Sequence, residues 1–92
     1  MSLDQKNDEL IAHCELICQI MSIVVRELTG CGDDLDLTYV NGEHSTIFRI
    51  NVSPAYKGRL VGTQGRTISA LRNLLAAMAG RKGYRAVIDL VE

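Results

Sequence analysis

The chain has 92 residues, with 10 Lys plus Arg against 11 Asp plus Glu, for a net charge of -1. Hydrophobic residues make up 47% and charged residues 23%, which excludes a wholly disordered chain, a collagen-like chain and a supercharged tail. The length leaves room for one core, so residues 1–92 are expected to form a single domain.

Residues 1–7 are polar and expected to be disordered. From residue 8 to 29 the apolar positions follow a helical period. Leu10, Cys14, Ile17, Met21, Val24 and Leu28 form one stripe, widened by Ile11, Cys18 and Val25. Asn7 or Ser2 suits the start and Gly30 the stop. At residue 35 the period changes to two, opening a core over 35–91. Leu35, Leu37 and Tyr39 alternate with Asp36 and Thr38, and after Asn41-Gly42 the same rhythm resumes with Phe48, Ile50 and Val52. Asn-Gly between two alternating runs signals a hairpin. Pro54 ends the strand and suits the first turn of a short helix. Gly62-Thr63-Gln64-Gly65 breaks that helix. A second runs from about Arg66, with Ile68, Leu71, Leu74, Leu75 and Met78 on one face, until Gly80 stops it. Tyr84 to Val91 alternates again. The order is α-β-β-α-α-β.

The apolar stretch from Leu16 to Val25 is interrupted by Gln19 and Ser22, and falls short of the roughly 20 residues of a membrane span. The polar, acidic start does not resemble a secretory signal. Three cysteines, an odd number, fit reduced thiols. These features predict a cytoplasmic protein with no membrane partner.

The net charge hides an asymmetry. Residues 1–53 carry nine acids and three bases, whereas residues 54–92 carry seven bases and two acids. No acid occurs between Pro54 and Ile88. A basic half can attract an anion in a chain that is neutral overall, because salt screens the distant acids.

Two Gly-x-x-Gly sequences lie in that half. Gly80 to Gly83 stands between a helix and a strand and reads as a helix stop followed by a turn. Gly62 to Gly65 stands between two helices and opens the second. A helix N-terminus presents unpaired N–H groups with partial positive charge, and flanking glycines let a sugar-phosphate backbone approach them. Arg66 follows at once, and Lys57 and Arg59 precede.

The run Pro54-x3-Gly58-x-Leu60-Val61-Gly62-x2-Gly65-x2-Ile68-x2-Leu71 resembles the core of a KH domain. The element order resembles its type II arrangement, an α+β fold with a three-stranded sheet and helices packed on one face. The stretch from about Asp36 to Leu90 resembles the bacterial single-KH RNA-binding proteins of the KhpA family. The resemblance implies binding of single-stranded RNA. Gly62, Thr63, Gln64 and Gly65, with Arg66, Lys57 and Arg59, would hold the phosphates. Leu60, Val61 and Ile68, with Phe48 or Ile50 behind, would line a base groove. Arg81 and Lys82 would flank it from a variable loop. The resemblance also implies a homodimer, or pairing with a larger KH-containing protein. Thr63 and Gln64 stand where many relatives carry a cation, which favours an alternative: a protein-interaction module with a degenerate loop.

Other chemistries find little support. His13, Cys14, Cys18, Cys31 and His44 lack the paired spacing of zinc ligands, and Cys14 and Cys18 fall on the apolar stripe. Gly58 to Gly65 matches neither nucleotide-loop pattern. No nucleophile, base and orienting group come together, so no enzyme, no metal and no cofactor is expected.

Overall fold

The computed structural model describes residues 3–91, with side chains from Asn7 to Val91. Its elements are α1 (Leu3–Thr29), β1 (Asp36–Asn41), β2 (Thr46–Asn51), α2 (Pro54–Val61), α3 (Arg66–Arg81) and β3 (Ala86–Leu90), with a single 3-10 turn at Thr63–Gly65 joining α2 to α3. The α-β-β-α-α-β order of the sequence reading is therefore present. The sheet runs β1-β2-β3, antiparallel between β1 and β2 and parallel between β2 and β3. This is an α+β fold of the type II KH kind.

Strand alternation explains why one face is covered. Leu37 pairs with Ile50 and Tyr39 with Phe48, and Phe48 lies beside Ile88. Phe48, Ile50, Val52, Ala86 and Ile88 are buried beneath the helices. The other set of residues, including Thr38, Arg49 and Asp89, points to solvent, where Arg49 Nε meets Asp89 Oδ2 at 3.1 Å. From the helices, Cys14, Ile17, Met21 and Val25 of α1, Leu60 of α2, and Ile68, Leu71, Leu75 and Ala79 of α3 complete one core. Burying such side chains stabilises the fold by about 1.5–3 kcal/mol each before chain entropy is counted.

The boundaries depart from the expectation in instructive ways. α1 already begins at Leu3, so residues 3–7 are helical where disorder was expected; residues 1 and 2 lie outside the described residues. Asn7 sits inside the helix and is no cap. Leu28 and Ile11 are exposed, and the buried residue in the last turn is Thr29. Its hydroxyl donates to the Val25 carbonyl at 2.8 Å and accepts from the Cys31 amide at 3.2 Å. Leu74 is likewise exposed rather than core. Gly30, at φ +74°, ends α1 as expected.

Gly80 does not stop α3. The helix runs on to Arg81, and the left-handed residue is Gly83, at φ +81°. The Gly83 and Tyr84 amides donate to the carbonyls of Gly80 and Ala79 at 3.0 and 3.1 Å, which satisfies the last turn. The hairpin falls where Asn41-Gly42 places it, but its loop is Gly42 to Ser45, closed by Gly42 N–H to the Ser45 carbonyl at 2.8 Å.

Candidate functional site

α2 and α3 meet at the Gly62–Gly65 corner. Pro54 begins α2 and Gly62 ends it, its amide donating to the Gly58 carbonyl at 2.9 Å. Gly62 has φ 79° and ψ 174°, a region open essentially to glycine alone. Gln64 (φ 56°, ψ 27°) and Gly65 (φ 72°, ψ 17°) are both left-handed. The Gly65 amide donates to the Gly62 carbonyl at 3.1 Å and the Arg66 amide to the Thr63 carbonyl. Among the described residues, the Thr63 and Gln64 amides have no such backbone acceptor outside the turn. Both residues are exposed. The corner therefore offers two backbone donors at its tip, and Arg66 Nη2 donates to Gln64 Oε1 at 3.2 Å alongside them.

The two glycines do different things. A Cβ on Gly62 would stand 2.7 Å from Thr67 Cβ and 3.0 Å from Thr67 N, whereas a Cβ on Gly65 would meet nothing within 4 Å. The sequence reading gave both the same task, clearing space for a ligand. Gly62 instead lets α3 pack back onto the corner, and only Gly65 keeps open space beside it.

Several residues assigned to the site are elsewhere. Phe48 and Ile50 are 1% and 0% exposed and Leu60 is 0% exposed, so these three are core and line no groove. Ile68 is nearly as buried. Val61 stays half-buried beside the loop. Arg59 Nη1 donates to the Thr29 carbonyl at 3.2 Å, which places its charge at the C-terminus of α1, where the helix dipole favours it. Lys57 lines a hollow with Asp33, Asp34 and Asp36, toward the N-terminal end of α2. Arg81 and Lys82 are at the far end of α3, about 24 Å of helix from the loop, on the side of the groove where the variable loop was expected. There they face His13 and Leu16 of α1.

Two cations went unassigned. An open groove of about 530 Å³ runs between α3 and the edge strand β3, lined by Arg72, Asn73 and Ala76 on one side and Tyr84, Arg85, Val87 and Ile88 on the other. Arg72 lies on the same side of α3 as Gly65 and Ser69, so the groove and the corner share one face of that helix. It carries two guanidinium groups and no carboxylate. The acid-free stretch from Pro54 to Ile88 was the signal for this. What the sequence concealed was which bases share a face, because the parallel pairing of β3 brings Arg85 beside α3.

A second polar cluster lies at the other end. His13 Nδ1 and the Tyr84 hydroxyl are 2.6 Å apart, with the rings edge to face. Burial, then Lys82 and Arg81, hold the His13 pKa below its ordinary value. Burial pushes the Tyr84 phenol well above its usual range. Among the described residues no three His, Cys, Asp or Glu side chains converge as metal ligands, and no helix is long and apolar enough to cross a membrane.

Comparison with known proteins follows the same outline. A family model described as the KhpA/KhpB KH domain matches residues 19–90. A protein named RNA-binding protein KhpA from Clostridium acetobutylicum is 30% identical over 73 residues, covering 79% of this chain and 97% of its own length. Its namesake from Aquifex aeolicus is 33% identical over 73 residues, covering 79% and 92%. That from Borreliella burgdorferi is 30% identical over 74 residues, covering 80% and 90%.

Proposed function

This chain belongs to the KhpA/KhpB KH-domain family, and from that premise we propose that it binds single-stranded RNA, without catalysis, at the Gly62–Gly65 corner and along the α3–β3 groove. The observation that carries the reading is that both are cationic and share the face of α3 that carries Gly65, Ser69, Arg72 and Ala76. The tip offers the Thr63 and Gln64 amides beside Arg66, and the groove holds Arg72 and Arg85 with no acid among its lining residues. Phosphates are held at the corner, where Gly65 leaves room, and by the three arginines. Bases lie over Val61, Ala76 and Val87, so selectivity is set by the fit of bases to an aliphatic groove. RNA-binding is also what the named relatives have in common.

The experiment is fluorescence anisotropy with single-stranded RNA at two salt concentrations. Three arginine–phosphate contacts give a slope of about -2 in log K against log salt, so affinity falls about 20-fold between 50 and 200 mM. Arg72→Gln and Arg85→Gln each weaken binding and flatten that slope, while Lys57→Gln leaves both nearly unchanged. Unaltered affinity in the double Arg72→Gln, Arg85→Gln variant would sink the groove assignment.

Pairing with a second copy or with another KH-containing chain is a compatible reading. It is favoured by Ile23, 63% exposed on the outer side of α1. Ile23→Glu with sedimentation tests it. The three free cysteines and this RNA role fit a cytoplasmic setting.

A further inference from the structure

At the end of α3 remote from the loop, a hollow of about 710 Å³ opens between α3 and the N-terminal half of α1. Leu10, Ala12, Leu16 and Tyr84 form its apolar part, and Arg81 and Lys82 stand at its rim. Leu16 is 50% exposed there, a large aliphatic side chain that the fold leaves half uncovered. Among the described residues Arg49–Asp89 is the one pairing of an arginine or lysine with a carboxylate, so neither rim cation is paired with an acid. The wall of the hollow is fixed by the His13–Tyr84 hydrogen bond, which ties α1 to the turn after α3. The RNA reading leaves Leu10, His13, Leu16, Arg81 and Lys82 unused; Tyr84 is shared between this hollow and the α3–β3 groove.

We propose that this hollow docks a segment of another protein that combines a large apolar side chain with nearby carboxylates. Charge complementarity selects the occupant: an apolar floor needs an apolar anchor, and two unmatched cations need acids beside it. RNA is a poorer match. Bases prefer an open aromatic face, and the one tyrosine here already meets His13 edge to face at 5.4 Å between ring centres. Glu9, also on the rim, opposes any anion. A segment with two or more acids is drawn to Arg81 and Lys82 and tolerates one opposing carboxylate.

The test uses the full chain, isotopically labelled, titrated with short synthetic peptides that combine Leu or Phe with Asp and Glu. Control peptides carry Lys in place of the acids. The expected result is that an acidic peptide shifts the amide signals of Leu16, Lys82 and Gly83 and leaves those of Thr63 to Arg66 in place. The double variant Arg81→Glu, Lys82→Glu then loses affinity about tenfold or more, and the Lys-bearing peptide regains it. Both positions are exposed, so circular dichroism is expected to report an unchanged fold. Leu16→Glu weakens both peptides. The proposal is overturned if no peptide of the set shifts these signals, if the charge-reversed variant binds the acidic peptide as before, or if single-stranded RNA shifts the same signals more strongly. It is equally overturned if the signals move with protein concentration alone and stop doing so in Ile23→Glu, since a second copy would then be the occupant.

Discussion

Alanine at Gly62 and alanine at Gly65 are predicted to have unlike consequences, although the motif treats the positions as equivalent. At Gly62 the backbone sits at φ 79°, ψ 174°, and forcing a side chain into such a region costs about 1–3 kcal/mol. The added Cβ would also stand 2.7 Å from Thr67 Cβ, and relieving an overpacked contact of that kind costs about another 1–3 kcal/mol. The sum, about 2–6 kcal/mol, is a large part of the roughly 5–15 kcal/mol that a small domain has in total. Gly65 is left-handed but open, so alanine there pays only the conformational term of about 1–2 kcal/mol. Urea unfolding followed by circular dichroism measures both. Gly62→Ala is expected to lose at least about 1 kcal/mol more than Gly65→Ala, and to lose RNA affinity only in step with its folded fraction. Gly65→Ala stays folded and binds RNA more weakly. Equal destabilisation of the two variants, within about 0.5 kcal/mol, would refute the argument that Gly62 serves the packing of α3.

Arg59→Gln is expected to lower stability by about 0.5–1.5 kcal/mol through the lost bond to the Thr29 carbonyl while leaving RNA affinity unchanged; a loss of affinity in a fully folded variant would return Arg59 to the site. His13 titrates below its ordinary value in the fold, so the unfolded chain binds the proton more readily. The stability this contributes is present above about pH 6.5 and is lost as pH falls through the folded pKa. Chemical unfolding at pH 7 and pH 5 should therefore show a decrease that is smaller in His13→Gln. A decrease of the same size in that variant would clear His13 of the effect. Burial pushes the Cys18 thiol up to about 11, so its thiolate is scarce at neutral pH. Iodoacetamide should label it about tenfold more slowly in the native chain than in urea, and labelling at the denatured rate would contradict its half-buried placement.

How much of this could be read from the chain depended on the range of the signal. The alternation of Phe48, Ile50 and Val52 and the Pro54 start are local, and both appear in the fold where the sequence puts them. The corner at Gly62 is local too, and it is where the two helices meet. Gly80 misled because one glycine inside a helix is tolerated, while the stop was set three residues on by Gly83. Phe48, Ile50 and Leu60 were assigned to a groove by the resemblance to the KH core, which carries over positions in the motif but not their burial. Only the packing of three helices on one sheet face shows that they have no path to solvent. Arg85 was missed for the opposite reason. It is adjacent in sequence to a strand and far from the loop, and the β2–β3 parallel pairing alone brings it beside Arg72.

α3 is unbroken from Arg66 to Arg81, and that continuity has a mechanical meaning. It is a stiff strut with the nucleic-acid corner at its N-terminal end and the apolar hollow at its other, and the α3–β3 groove reaches toward the hollow as far as Tyr84, a residue both surfaces share. A strand short enough to stay at the corner leaves the opposite end open to an acidic segment, whereas one that reaches Tyr84 competes with it, so the length of the bound RNA decides whether the chain acts as an adaptor or as a switch.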